Sequence, residues 1–186
     1  IGHTIAETVI CVNRRLSYTG VQKVLDDDPE ETALYPELVP MLKEMAEVSA
    51  LLRKRRRKRG SIDFDFPETK VILDEKGYPI DIKPYERNAA TRLIEDFMLA
   101  ANETVAEDYY WQAQPFVYRI HEKPDSEKMS RLGTFIRNFG YSLHTAGDEI
   151  HPGEVQKLLD KIAGTPEEAM ISRLTLRSMK QAKYAT

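Results

Sequence analysis

Leu38-Val39-Pro40-Met41-Leu42-Lys43-Glu44-Met45-Ala46-Glu47-Val48-Ser49-Ala50-Leu51-Leu52-Arg53-Lys54-Arg55-Arg56-Arg57-Lys58-Arg59-Gly60-Ser61-Ile62-Asp63-Phe64-Asp65-Phe66 changes its hydrophobic period within one stretch. Leu38, Met41, Leu42, Met45, Val48 and Leu52 recur at spacings of three and four, which stacks them on one side of a helix. Pro36 suits its start and Gly60 its end. Beyond Gly60 the apolar residues alternate, so a strand at Ile62–Phe66 puts Ile62, Phe64 and Phe66 on one face and Asp63 and Asp65 on the other. A long helix running into strands predicts an α+β chain.

The flanking sequence extends that pattern. Thr8-Val9-Ile10-Cys11-Val12 is a β-branched run that predicts a strand, with Cys11 in its core. Ser17 caps a short helix through Leu25, and Asp26-Asp27-Asp28-Pro29 breaks it. Val71-Ile72-Leu73, Asp74-Glu75-Lys76-Gly77 and Ile80-Asp81-Ile82 predict a hairpin, Gly77 taking the left-handed position after a type I turn. Asn88 caps a helix lined by Leu93, Ile94, Phe97, Met98, Ala101 and Val105, which runs into Tyr109-Tyr110-Trp111. Phe116 to His121 predicts another strand. Helical stripes follow at Met129, Leu132, Phe135, Ile136 and Phe139 and at Val155, Leu158, Leu159 and Ile162, and Thr165-Pro166-Glu167-Glu168 opens a last helix with a capping box. The expectation is a small antiparallel sheet packed with several amphipathic helices, in one piece over residues 1–186, since no linker or repeat interrupts it.

Composition narrows the function classes. With 41% hydrophobic and 31% charged residues the chain is globular rather than disordered. No apolar stretch reaches the roughly 20 residues of a membrane span and no signal-peptide pattern opens the chain, so a cytoplasmic address and no membrane partner are expected. The single Cys11 and the scattered His3, His121, His144 and His151 provide no zinc spacing. Neither a phosphate-binding glycine loop nor a Ser/His/Asp pattern is present, so no small-molecule cofactor and no nucleophile are expected.

Net charge is -3, but Arg53 to Arg59 holds seven of the 27 basic residues, leaving a mostly acidic body with one cationic segment. That distribution suits a localised polyanion contact, for which Arg55 and Arg56 are the candidates; the alternative is a solvated helix end whose cations complement the dipole. Asp26, Asp27 and Asp28 with Glu30 and Glu31 form the densest carboxylate group, the raw material of two-metal phosphodiester chemistry. Their place around a proline favours an ordinary turn. Asp63 and Asp65 share a strand face that normally meets solvent. Tyr109, Tyr110, Trp111, Phe116 and Tyr118 offer base-stacking surfaces, although core packing is the commoner role of such a cluster. Arg119 and His121 alternate to one face of their strand, an arrangement suited to phosphate.

Five ordered stretches resemble the ribonuclease II and ribonuclease R (RNB) catalytic domain: Asn13-Arg14-Arg15-Leu16-Ser17-Tyr18-Thr19; Arg59-Gly60-Ser61-Ile62-Asp63-Phe64-Asp65; Glu86-Arg87-Asn88-Ala89-Ala90 with Leu93-Ile94-Glu95-Asp96-Phe97-Met98; Ala101-Asn102-Glu103; and Tyr118-Arg119-Ile120-His121-Glu122. Ser172-Arg173-Leu174 with Arg177-Ser178-Met179-Lys180-Gln181-Ala182 is similar to the ribonuclease R branch. The resemblance implies processive 3'-to-5' hydrolysis of single-stranded RNA to nucleoside monophosphates, with magnesium held by an aspartate cluster that precedes this segment. It implies a later arginine-containing stretch acting on the scissile phosphate, and small oligonucleotide-binding barrels that flank the domain. It also implies that Tyr18 stacks on the terminal nucleotide. The usual partner of that tyrosine in the ribonuclease II branch is a phenylalanine whose position here is Pro115, with Phe116 next.

The expectation is therefore an internal piece of a bacterial exoribonuclease. It opens on Ile1-Gly2-His3 and carries part of the RNA path, with Tyr18, Arg119, His121, Arg55 and Arg56 as RNA contacts. It has no catalytic or metal residue of its own, needs magnesium only in the full-length enzyme, and is inactive alone. The competing readings are a non-catalytic RNA-binding or interaction module using the basic helix end, and a structural domain without RNA contact.

Overall fold

Gly60 adopts φ +95°, the left-handed conformation that ends the long helix where the sequence places its stop. The computed structural model describes residues 3–64, 66, 68–85, 87–144 and 150–186. Among them run α1 (Tyr18–Leu25), α2 (Pro29–Leu34), α3 (Val39–Arg59), β1 (Glu68–Leu73), β2 (Pro79–Tyr85), α4 (Ala89–Trp111), β3 (Tyr118–Ile120), α5 (Ser126–Arg137), α6 (Pro152–Ile162), α7 (Glu168–Ser178) and β4 (Lys183–Ala185). The strands form two separate antiparallel pairs, β1 with β2 and β3 with β4. The α+β class stands.

The chain divides into two compact units made of interleaved segments: Ile1–Arg53 with Pro67–Gln114, and Lys54–Phe66 with Pro115–Thr186. In the first unit Val24, Leu42, Ala90 and Leu93 are buried. Gln22 of α1 accepts the Ala90 backbone N–H at 3.2 Å, tying α1 to the start of α4, where Asn88 caps as expected through the Thr91 N–H at 3.0 Å. The β1–β2 hairpin pairs Val71 with Ile82, and Asp74 Oδ1 accepts the N–H groups of Lys76 and Tyr78 at 2.9 Å, closing the turn at Gly77 (φ +84°).

The core of the second unit comes from three helices. Met129, Leu132 and Ile136 of α5 meet Val155, Leu158, Leu159 and Ile162 of α6 and Ile171 of α7, with Ile62 and Phe64 packed against them. Each fully buried aliphatic side chain here contributes roughly 1.5–3 kcal/mol relative to exposure. Both helical stripes read from the sequence supply this core, with Phe135 packed partly buried against it and Phe139 exposed.

Several expectations are corrected. Thr8 to Val12 forms no strand: Val9, Ile10 and Val12 are exposed, as is Cys11, because no second strand among the described residues pairs with this run. Ile62 to Phe64 and Phe66 lie outside any ladder, although Phe64 and Phe66 stack at 5.8 Å and the Asp63 N–H is taken by Gln156 Oε1 at 2.8 Å; Asp65 lies outside the described residues, as does Glu86. The buried side of α3 carries Leu42 and Ser49, while Met41 and Val48 are exposed. On α4, Asp96 is buried beside Leu93 while Ile94 and Met98 are exposed. The interiors of both helices include a polar pair that apolar periodicity does not register. The capping box at Thr165 does not form: α7 starts at Glu168, whose side chain accepts the Gly164 N–H at 2.7 Å, and Thr165 Oγ1 donates to the Ile162 carbonyl. Tyr110 and Trp111 meet edge to face at 5.3 Å but are exposed.

Candidate nucleic-acid interface

Tyr18 is positioned by its neighbour. Ser17 Oγ accepts the Gly20 N–H at 3.1 Å and starts α1 one residue later, which fixes the backbone that carries the phenol ring. The ring is half in solvent, at 49% exposure, the compromise a stacking surface needs. Close by in sequence, the acidic cluster is spent on structure. Asp26 accepts from Gln22 at 2.9 Å, Asp27 at φ +60° pairs with Lys43 at 2.5 Å, and Asp28 caps α2 through the Glu31 N–H at 2.9 Å. These are turn and cap roles. Among the described residues no group of three or more His, Cys, Asp or Glu side chains is arranged to hold a metal ion.

The basic run is not one object. Arg53 donates to Asp96 Oδ2 at 2.6 Å, which Ser49 Oγ also reaches at 2.6 Å, and the Asp96 side chain is 1% exposed. Arg53 thus belongs to the interior of its unit, where a carboxylate requires such pairing. Arg57 approaches Asp160 at 3.5 Å on the surface. Arg56 is half-buried and interacts within the chain. Lys54, Arg55 and Lys58 are exposed and make no hydrogen bond or ion pair among the described residues. Residues 54 and 58, and 55 and 58, stand four and three apart, so these three cations share one helical face. The sequence reading chose Arg55 and Arg56; the structure sets Arg55 on the open face and Arg56 partly inside.

Arg119 and His121 sit on and just after β3, both exposed and without a polar partner among the described residues. The β3 register opposes Tyr118 to Ala185, Arg119 to Tyr184 and Ile120 to Lys183. Glu122, next along, accepts from Lys183 and lies 3.6 Å from Lys180; the Lys183 hydrogen bond and the two ammonium charges hold its carboxyl below the usual range. Sequence reading missed this pairing because two three-residue strands far apart in the chain carry too little periodicity to announce each other. Tyr18 belongs to the first unit, and Arg55, Arg56, Arg119 and His121 to the second.

A family model described as RNB domain matches residues 1–186. Ribonuclease R 1 of Lactococcus lactis is 37% identical over 185 residues, covering 100% of this chain and 23% of its own length. Ribonuclease R of Aquifex aeolicus is 41% identical over 183 residues, covering 98% and 26%. The solved structure of Mycoplasma genitalium RNase R in complex with ribose methylated single-stranded RNA superimposes with a TM-score of 0.82 at 27% identity, over 92% of this chain and 27% of that one. The chain thus spans about a quarter of the length of the relatives it matches.

Proposed function

Since the chain belongs to the RNB domain family, we propose that it is an internal part of a bacterial, cytoplasmic ribonuclease R-type enzyme that removes nucleotides from single-stranded RNA in the 3'-to-5' direction. Matching along essentially this whole chain to about a quarter of proteins named ribonuclease R carries this reading, and the likeness to a structure holding single-stranded RNA agrees with it. No helix among the described residues is long and apolar enough to cross a membrane.

Within that enzyme this segment supplies part of the RNA path rather than the chemistry. Lys54, Arg55 and Lys58 on one helical face attract phosphates without regard to sequence. Tyr18 stacks on a base, and Arg119 with His121 contacts the backbone. Stacking and phosphate contact are indifferent to base identity, which suits an enzyme that digests any sequence. Asp26, Asp27 and Asp28 are held in a side-chain hydrogen bond, an ion pair and a helix cap, and among the described residues no three or more His, Cys, Asp or Glu side chains are grouped to hold a metal ion. The magnesium used in the full-length enzyme is held by other parts of the parent.

The test is a digestion time course with uniformly labelled single-stranded RNA and magnesium. The 186-residue chain leaves the RNA intact while the parent enzyme releases monophosphates. Chelator-sensitive release of monophosphates by the chain alone contradicts this division of labour.

A further inference from the structure

Tyr184 is the direct cross-strand partner of Arg119 in the β3–β4 ribbon. Directly opposed residues of an antiparallel pair project to the same face, with Cβ atoms roughly 4.5–5.5 Å apart. His121 follows directly after the end of β3. Arg119 and His121 are exposed, Tyr184 is 75% exposed, and none of the three has a polar partner among the described residues.

The other face of the ribbon is already used. Tyr118 and Ala185 are half-buried, Phe116 meets Tyr118 edge to face at 5.4 Å, and Lys183 and Lys180 neutralise Glu122. A ring and a guanidinium are thus left side by side in solvent, with Glu122, the carboxylate that follows β3, already neutralised. An aromatic face beside a cation is the combination that holds a nucleobase and its phosphate together.

We propose that Tyr184 is a base-stacking residue of the RNA path, one base lying on its ring while Arg119 takes the adjoining phosphate. The proposal deepens the RNA reading above and rests on it. The bound species is single-stranded RNA, because the ring selects an unpaired base and the charge selects a polyanion.

Fluorescence anisotropy of a labelled oligouridylate with the 186-residue chain at low salt separates the two levels. Tyr184→Ala is expected to weaken binding about five- to tenfold, the lower end of what stacking of one base supplies, without changing the salt slope. Tyr184→Phe is expected to bind like the unsubstituted chain, and Tyr184→Val, which keeps strand propensity without the ring, like Tyr184→Ala. Arg119→Gln should reduce the slope of log affinity against log salt by about 0.7. Unaltered affinity in Tyr184→Val, or weakening in Tyr184→Phe equal to that in Tyr184→Ala, overturns the stacking role while leaving RNA binding standing. No binding by the unsubstituted chain overturns both. Photocrosslinking of a 5-bromouridine oligomer to the unsubstituted chain requires no folded variant: an adduct at Tyr184 is expected, and adducts confined to other residues overturn the proposal.

Discussion

Asp96 shows how a single residue ties sequence to structure in this chain. Its carboxylate sits in the interior with Ser49 and Arg53 on one oxygen. Truncating one member of a buried ion pair costs about 3–5 kcal/mol because the survivor is left without compensation. Arg53 retains partial solvent access, which moves the expectation for Asp96→Ala to about 2–3 kcal/mol, measurable as a lowered urea midpoint. Tyr18 is the opposite case. Being half-exposed, it should lose little stability on replacement by Ala, and in the parent enzyme Tyr18→Ala should alter the length of the limit product, read from a digestion ladder. Unchanged end products would remove it from the RNA path. At this scale the caps were legible: Ser17, Asn88 and Gly60 are marked by local chemistry that needs no tertiary information. Asp96 was not, because a buried charge is intelligible only once its partner, 43 positions away in the chain, is known.

Among the elements, α3 makes the sharpest claim. Seven contiguous cations read as one patch in sequence, but helical geometry spreads successive residues about 100 degrees apart. Arg53 and Arg57 are taken by Asp96 and Asp160, and Lys54, Arg55 and Lys58 remain on a common face. Replacing those three with Gln should remove about two units of salt slope with little loss of stability. Arg53→Gln should do the reverse. The β3–β4 ribbon has its own signature in pH. Lys183 holds the Glu122 carboxyl below its ordinary value of 4.5. Its stabilising contribution is therefore complete above that value and is lost as pH falls through the depressed one. The Tyr184 and Lys183 amides should accordingly lose protection, measured against the intrinsic exchange rate at each pH, as pH falls below 4.5, and Lys183→Met should abolish that loss. Long helices with strong stripes, such as α5 and α6, were legible from periodicity. The strand expected at Thr8 to Val12 was not realised, since a β-branched run without a pairing partner leaves its backbone groups to water.

For the whole molecule, the α+β class followed from the change of period at Gly60, and the family from ordered motifs along the chain. The interleaving of two units was not legible, because residues 54–66 join the C-terminal segment through long-range packing that no local pattern encodes. The chain has a cationic helical face, exposed rings at Tyr18 and Tyr184, and, among the described residues, no acidic cluster arranged to hold a metal ion. It should therefore hold RNA without cutting it. The most direct test is equilibrium binding of 5'-labelled polyU to the purified chain in magnesium, across a salt series, with the RNA recovered afterwards. The expected result is sequence-independent binding with a log–log slope of about -3, as for four phosphates neutralised by Lys54, Arg55, Lys58 and Arg119, and intact RNA. Shortened RNA, or the absence of any salt-dependent binding, would contradict the account.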